Sequence, residues 1–353
     1  MNSLYNRKAY IAFGPVRKLN VAEQVFITGG TTPLNILTGF DNIGVANLGW
    51  PFVDLATPLK DDNKGFSDLR VSFVVEKTLE SKENEADIEV YNISRDSYRL
   101  LQQITETYSV QLSIGYGESS HSLFLGNIEK SSYHREKADW ILNIKGKDGQ
   151  EVLQDTIINK SYREEFDLKS VLIDMISSTD ILSKDAFKDA KKWINEKLTS
   201  VKKTQNGLSI SGRLVNEINK LLSEFDASLS IQDEKAQIIY NNSNTNNDIV
   251  LLNPSTGLLG SPIDKGKEEG IEFRCLLIPI IKPGSLVKIQ SKTINDYYRV
   301  DKIIYKGDTY GNDWECRCEA VRPTNIITDL PEIKYYSSLP IEQEIGTTWK
   351  HFI

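Results

Sequence analysis

The feature that most constrains the fold is a segment that occurs twice. Residues 128–140, IEKSSYHREKADW, resemble residues 300–314, VDKIIYKGDTYGNDW. In each, a Lys precedes a Tyr by three residues, and a polar stretch then leads to Asp-Trp. The Lys-x-x-Tyr segments are 172 residues apart and the Asp-Trp pairs 174, so the second tip is two residues longer. The candidate structural repeat positions are Lys130, Tyr133, Asp139, Trp140, Lys302, Tyr305, Asp313 and Trp314.

Strand patterns around the two segments follow one another in the same order. IEV at 88–90 matches IEF at 271–273, and SVQLSI at 109–114 matches SLVKIQ at 285–290. A helix predicted at 94–104 is replaced in the second copy by PIIKPG, whose two prolines exclude a helix. The ordered set predicts two copies of one small β-barrel, because short antiparallel strands would otherwise leave exposed edges.

The region between the copies has helical periodicity. Two apolar stripes with spacings of three and four residues predict helices, the first behind an N-cap at Asp167, and a third helix is expected between them. The sequence ASLSIQDEKAQIIY then predicts a hairpin. The stripes consist of Leu168, Val171, Leu172, Met175 and Ile176, and of Leu214, Ile218, Leu221, Leu222 and Phe225.

The predicted fold class is therefore a β-rich α+β protein, in which two similar small β-barrels arise by internal duplication and a helical and hairpin segment is inserted between them. The expected units are an N-terminal strand with Gly/Pro-rich loops at 1–66, a first β-barrel at 67–160, a helical and hairpin domain at 161–245, a second β-barrel at 246–322, and a C-terminal tail at 323–353.

The composition excludes several classes of function. The 39% hydrophobic and 26% charged residues are typical of a globular chain, and the net charge of −7 argues against a protein that neutralises nucleic-acid phosphates. We expect no membrane span, because no apolar run is long enough to cross a bilayer. The start, MNSLYNRKAY, lacks the apolar core of a signal peptide, so synthesis and initial residence in the cytosol are expected.

The three cysteines do not have the spacing of a zinc site or a disulfide framework. In WECRCEAV, the residues Trp314, Cys316, Cys318 and Ala320 alternate with charged residues and should face one side of a strand. We therefore expect Cys316 and Cys318 to be core residues. Asp139 and Asp313 each precede a Trp predicted to face the core, and we expect each Asp to tie down its own hairpin.

No catalytic motif is present in the sequence. The three histidines, His121, His134 and His351, fall in no metal-binding or Ser-His-Asp pattern. GYGESSHS lacks the Gly-x-Ser-x-Gly elbow and is interpreted as a turn. We expect no enzyme activity, no cofactor and no metal.

The sequence also resembles a known family. STGLLGSPI, LLIPIIKPGSLVKIQS and YYRVDKIIYKGDTYGNDWECRCEAV, with ADIEVYNIS and LFLGNIEKSSYHREKADWILNIKGKDG earlier in the chain, resemble the baseplate hub proteins of contractile-tailed bacteriophages. Those proteins are related to the hubs of phage-like injection particles and to the N-terminal part of type VI secretion spikes. The resemblance covers residues 67–321 and rests on pattern and spacing.

The resemblance implies a homotrimer in the virion, at the tail baseplate, assembled in the host bacterial cytoplasm. A ring of three subunits with two similar barrels each presents six similar faces, so it can adapt a six-fold tail tube to a three-fold cell-puncturing spike. The implied partners are the trimeric spike protein, the tail tube or tube-initiator protein and possible baseplate wedge proteins. DNA is expected to pass through the lumen without specific binding, along carboxylates rather than Lys and Arg.

Two alternatives of other classes remain at this stage. A cell-wall hydrolase at a tail tip would need a carboxylate pair or a Cys/His set in a cleft. A glycan-binding module would use exposed aromatic side chains, for which Trp50 and Tyr116 are the candidates.

Overall fold

The computed structural model of the protein describes the strands and helices of the central part of the chain. The described residues are 7–15, 53–54, 69–93, 108–116, 119–149, 156–163, 167–177, 187–198, 207–233, 235–241, 249–266 and 270–323. The helix expected at 94–104, most of the N-terminal Gly/Pro-rich segment, Trp50, and the tail after residue 323 lie outside them.

The described residues are mainly strands, which confirms the prediction of a β-rich chain. They form a first half, an insert and a second half, in that order along the chain. The first half contains β1 (Arg7–Pro15), β2 (Val53–Asp54), β3 (Val71–Thr78), β4 (Asn84–Tyr91), β5 (Tyr108–Tyr116), β6 (Ser119–Glu136) and β7 (Asp139–Asp148).

The insert carries all three α-helices of the described residues. It contains β8 (Ile157–Tyr162), α1 (Leu168–Ser177), α2 (Lys188–Lys197), β9 (Leu208–Arg213), α3 (Leu214–Leu222), β10 (Ala227–Gln232) and β11 (Lys235–Tyr240). The second half contains β12 (Ile249–Leu252), β13 (Leu258–Gly266), β14 (Gly270–Leu276), β15 (Leu286–Gln290), β16 (Asn295–Asp308) and β17 (Trp314–Val321).

One thirteen-stranded sheet runs through both halves. Its strands follow the order β13-β14-β17-β16-β3-β4-β7-β6-β5-β1-β2, and β15 pairs with both β16 and β12. The ladder between β12 and β15 is parallel, and the other ladders of this sheet are antiparallel. Strand β3 joins the halves, because it pairs with β4 on one edge and with β16 on the other.

The same strand order occurs in each half. The first half has β4-β7-β6-β5 and the second has β14-β17-β16-β15. Both long strands also have a β-bulge at equivalent positions, between Ile128 and Lys130 in β6 and between Val300 and Lys302 in β16. At that bulge each long strand leaves its neighbour β5 or β15, because a bulge redirects the strand that carries it.

The pairing corrects both of the predicted strand matches. Ser109 lies opposite Asn127 as Leu286 lies opposite the equivalent Arg299, so the match of 109–114 with 285–290 is wrong by one residue. Asp87 of β4 lies opposite Lys145, and the residue opposite Glu319, which is equivalent to Lys145, is Glu272. Ile88 is therefore equivalent to Phe273, so the predicted match of 88–90 with 271–273 is wrong by two residues. A shift of two residues keeps every side chain on the same face of a strand, and the apolar pattern does not reveal it.

The sheet and the insert have separate hydrophobic cores. One buried cluster contains side chains from both halves of the sheet. Cys316 and Cys318 belong to it, and Trp314 and Ala320 are buried beside them, which confirms the predicted alternation in β17. Buried and more exposed side chains alternate along β3, β4 and β17, so one face of these strands is directed to the core and the other away from it.

The second core lies within the insert and contains the predicted helical stripes. Leu168, Val171, Leu172, Met175 and Ile176 of α1 are all buried, as are Leu214, Ile218, Leu221 and Leu222 of α3. Asp167 caps α1, since its Oδ1 accepts a hydrogen bond from the backbone N–H of Lys169 at 3.2 Å. Strand β8 pairs with β9 and packs in this core, so the insert contains residues on both sides of the expected boundary at 160.

One turn of the insert contacts both halves of the sheet. Asp233, between β10 and β11, accepts hydrogen bonds from the Lys77 ammonium of β3 at 2.5 Å and from the Lys282 ammonium at 3.1 Å. Its backbone N–H donates to Oδ2 of Asp148, at the end of β7, at 2.6 Å. Burial raises the pKa of Asp233, but the two ammonium groups outweigh burial and hold its pKa below the usual range.

We expect Asp233→Asn to destabilise the protein by about 3–5 kcal/mol, because the fully buried Lys77 loses its counter-charge. Urea denaturation at neutral pH measures this loss. The stabilisation is present above the ordinary aspartate pKa of 3.8 and is lost as the pH falls through the lower pKa of the folded state, so the two proteins should converge in acid.

The matched control is Asp226→Asn. Asp226 has a similar left-handed backbone, φ 52° against 53° for Asp233, but its side chain is exposed. Equal losses from the two substitutions would contradict a role for the ion cluster.

Candidate functional site

The repeated segments form two hairpins of the sheet, and their surroundings differ. The first hairpin, residues 130–142, joins β6 to β7, and the second hairpin, residues 302–316, joins β16 to β17. The second hairpin lies beside β3, where Tyr305 is opposite Val75. This contact between β3 and β16, called the internal seam below, is where the two halves meet.

An ion pair between Arg70 and Asp308, called the clasp below, stabilises the tip of the second hairpin. The Arg70 guanidinium donates two hydrogen bonds to the Asp308 carboxylate, from Nε at 3.1 Å and from Nη2 at 2.6 Å. The same carboxylate accepts from the backbone N–H groups of Tyr310 and Gly311 at 3.0 and 2.9 Å. Burial raises the pKa of Asp308, but Arg70 and the two amides outweigh it, so the net pKa is lowered.

Aromatic packing fills the space beneath that clasp. Trp314 is only 3% exposed and makes edge-to-face contacts with Phe73 at 5.8 Å and with Tyr116 at 6.0 Å between ring centroids. The Arg7 guanidinium lies 5.3 Å from the centroid of the Trp314 ring. Gly307 permits the approach of β3, because a Cβ at this position would overlap the Phe73 ring.

The other two repeat positions in β16, Tyr305 and Lys302, also bind groups outside their own hairpin. Tyr305 is fully buried, its hydroxyl donates to the backbone carbonyl of Ile281, and burial raises its pKa. The Lys302 ammonium lies 2.5 Å from the Glu76 carboxylate across the internal seam. This carboxylate raises the pKa of Lys302.

No described strand lies against the first hairpin as β3 lies against the second. Tyr133 and Trp140 stack on each other with ring centroids 5.0 Å apart, and Lys130 is exposed. Trp140 is 37% exposed, so the prediction that it faces the core is wrong, whereas the same prediction is confirmed for Trp314. The difference arises because β3 lies against one hairpin and not the other.

The two aspartates before the tryptophans also differ. Asp313 binds its own hairpin, as expected, through the Lys306 ammonium at 2.8 Å. Asp139 instead accepts a hydrogen bond from the side-chain amide of Asn92, at the end of β4, at 2.8 Å. The expectation that Asp139 ties down its own hairpin is therefore wrong. Asn92, with φ 59°, also accepts from the backbone N–H of Trp140 at 3.0 Å.

The clasp residues were not identified from the sequence. Asp308 begins the turn DTYG, and an Asp at this position is a recognisable turn signal, so its bonds to the turn amides could have been predicted. Nothing local connects Asp308 with Arg70, which is 238 residues away in the chain.

Two other kinds of feature are absent from the described residues. They contain no group of three or more His, Cys, Asp or Glu side chains placed to hold a metal ion. Their helices are all too short or too polar to cross a lipid bilayer.

We expect Trp314→Ala to destabilise the protein by about 3–5 kcal/mol, since it removes a buried indole from between Phe73 and Tyr116. The equivalent substitution in the first hairpin, Trp140→Ala, is the matched control and should cost the isolated chain less than about 1 kcal/mol. Urea denaturation of dilute samples measures both. A larger loss for Trp140→Ala than for Trp314→Ala would contradict the assignment of covered and exposed hairpins.

Comparison with known proteins identifies the family. The family model described as Baseplate hub gp41 matches residues 58–313, which include β3 through to the tip of the second hairpin. No curated protein matches the chain. The assignment therefore rests on a sequence match that covers more than half of the chain.

Solved structures of tail proteins are similar to this one. A 43 kDa tail protein of prophage MuSo2 from Shewanella oneidensis is 11% identical with a TM-score of 0.49, and the alignment covers 73% of this chain and 95% of that one. The E. coli c3393 protein, described as a type VI secretion component, is 10% identical with a TM-score of 0.48, and covers 72% and 74% of the two chains. On the strength of the family match, the chain belongs to the Baseplate hub gp41 family.

Proposed function

We propose that three copies of this chain form a ring that adapts a six-fold tail tube to a three-fold spike in a phage-type contractile tail. A structural role in the baseplate follows from the family, and the ring is the further step. The observation that carries it is the recurrence of one strand order, with one bulge at equivalent positions, in the two halves of the sheet.

The recurrence of one strand order in the two halves explains how three chains could bind a six-fold partner. The equivalence of the hairpins holds at paired positions, since Tyr133 lies opposite Leu142 as Tyr305 lies opposite Cys316. A protein with two similar halves presents two similar surfaces to a neighbour. Three such chains around one axis present six, which matches a six-fold partner on one side while the ring itself retains three-fold symmetry.

The domain limits expected from the sequence belong to this proposal. The halves act as two barrel-like units at 67–160 and 246–322, and the unit at 161–245 is carried outside the ring wall. The separate hydrophobic core of the insert supports a separate unit, and because that core includes Ile158 of β8, the unit begins a few residues before 161. Within residues 1–66, strands β1 and β2 belong to the sheet of the first half, so the first unit also includes them.

The partners of the ring follow from its position. One face binds the tail tube or tube-initiator protein, the other binds the trimeric spike, and baseplate wedge proteins contact the outside. DNA passes through the lumen without specific binding, in keeping with the chain's net charge of −7. The protein is a virion component of the tail baseplate and is assembled in the cytoplasm of the host bacterium.

We expect light scattering coupled to size exclusion to give a mass of three times 39.9 kDa for the purified protein. The mass should fall towards that of one chain on dilution, because closed rings dissociate by mass action. A mass of one chain at every concentration would contradict a ring that forms by itself.

A non-enzymatic role predicts that the pure protein releases no soluble fragments from peptidoglycan. Lysozyme is the positive control for the substrate, and Trp314→Ala protein tests for a contaminating activity. Fragment release by the wild-type protein would favour the cell-wall hydrolase. Retention on a glycan column without self-association would favour the glycan-binding module.

A further inference from the structure

A groove of charged side chains runs along the junction between the insert and the sheet. A cavity of about 420 Å³ lies between the end of β3, the start of β4 and the corner where β9 meets α3. A second cavity of about 570 Å³ lies between β16, β17 and the hairpin of β10 and β11. Glu76, Thr78 and Lys82 line both cavities, so the two form one continuous groove, called the junction groove below. Ligands preferentially bind in clefts between separately packed units.

Carboxylates outnumber cations along the junction groove. Two of the four lining cations are held by groove carboxylates, since Arg299 donates to Asp301 and Lys302 binds Glu76. The other two are Lys82 and Arg213. The lining carboxylates are Glu76, Glu80, Glu83, Glu85, Asp301 and Glu319. The groove therefore has an excess of negative charge, which favours a cationic ligand.

Two carboxylates at one end of the junction groove have unused acceptor oxygens. The side chain of Glu83 is only 10% exposed, and its Oε2 lies 3.2 Å from the Lys147 ammonium. Its Oε1 is buried without a hydrogen-bond partner. Glu85 is exposed and makes no ion pair or hydrogen bond within the described part of the chain. Because a buried carboxylate oxygen without a donor is costly, this end of the groove is suited to a donor from outside.

The strand register places two like charges against each other at the same end. Glu76 of β3 and Glu85 of β4 are directly opposite, and like charges in that position destabilise a sheet. Lys302 neutralises Glu76. Lys147 lies opposite Glu85 on β7, but its ammonium binds other carboxylates. A cation from outside that binds Glu85 would relieve this repulsion.

Lys82 shows which chemistry the junction groove accepts. It lies in the turn between β3 and β4, lines both cavities, and its ammonium binds the Glu80 carboxylate. Both side chains are largely exposed, at 74% and 64%. Because such an exposed ion pair contributes little stability, another cation can displace Lys82 at little cost.

We propose that the junction groove binds an extended segment of another protein that carries Lys or Arg at every second residue. Side chains on alternate residues of an extended chain point the same way, about 7 Å apart. Glu83 and Glu85 are likewise two residues apart and line one cavity. The carboxylates of Glu80, Asp301 and Glu319 line the other cavity, so a row of cations fits the groove better than a single one.

The first test is a titration of the full chain with a fluorescently labelled peptide of alternating arginine and glycine, followed by anisotropy. We expect saturable binding that weakens as salt is added, because the contacts are ion pairs in a partly exposed groove. The matched peptide carries citrulline, which has the shape of arginine without its charge, and should not bind. Equal binding of the two peptides, or no binding of the arginine peptide, would overturn the proposal.

The variant Glu85→Gln locates the contact. It should weaken peptide binding about fivefold, the upper range for one exposed ion pair. Its midpoint of urea unfolding should be unchanged or higher, because the repulsion between Glu76 and Glu85 is removed. The matched control is Glu224→Gln, which removes the same charge from an exposed position of the insert outside the groove. Equal weakening by the two substitutions would show that the peptide responds to net charge alone and would overturn the proposal.

The variant Lys82→Gln should have the opposite effect. It removes the cation that the peptide must displace, so the peptide should bind about threefold more tightly. Lys188→Gln, at an exposed position of α2, is the matched control and should change binding less. An equal gain from both substitutions, or no gain from Lys82→Gln, would contradict binding in the junction groove.

A competition with spermidine distinguishes a protein segment from a small cation. At the same concentration of positive charge, spermidine should leave most of the peptide bound, and complete displacement would overturn the assignment to an extended segment. The inference requires no ring. A monomeric chain that binds the peptide would support it while contradicting the self-assembling ring, and a trimer that does not bind would overturn it alone.

Discussion

The structure depends on one strand that pairs on both edges. Strand β3 completes the first half through β4 and binds the second half through β16, so a single set of backbone hydrogen bonds turns two similar sheets into one. The shared core, the burial of Trp314 and the position of the insert all follow from this contact. Because Phe73 needs the space left by Gly307, the contact has one register.

The ion pairs around β3 serve specificity more than stability. Arg70 with Asp308 and Lys77 with Asp233 are both partly or fully removed from water, and such pairs give little net stability compared with apolar residues of the same volume. Each pair connects elements that are distant in the chain. A misplaced register would leave the fully buried Lys77 without its counter-charge, so this pair disfavours wrong arrangements.

The sequence predicted those elements in which the burial of side chains is determined by residues that are close together in the chain. The helical stripe of α1 was identified from spacing alone, as were the alternation of β17 and the repeated hairpins, because burial there follows periods of 3.6 and 2. The match between β4 and β14 was wrong by two residues, since a period of two does not register that shift. The exposure of Trp140 could not be predicted, because it depends on where β3 lies. Arg70 and Asp308 are joined only by the fold.

The wide separation of Arg70 and Asp308 in sequence has a consequence for synthesis. At about 5–20 residues per second, the 238 residues between them take on the order of tens of seconds to emerge from the ribosome. During that interval β3 can pair with β4 on one edge, while the partner of its other edge, β16, has not yet been synthesised. The first half must therefore keep this edge of β3 available until the last strands of the sheet are made.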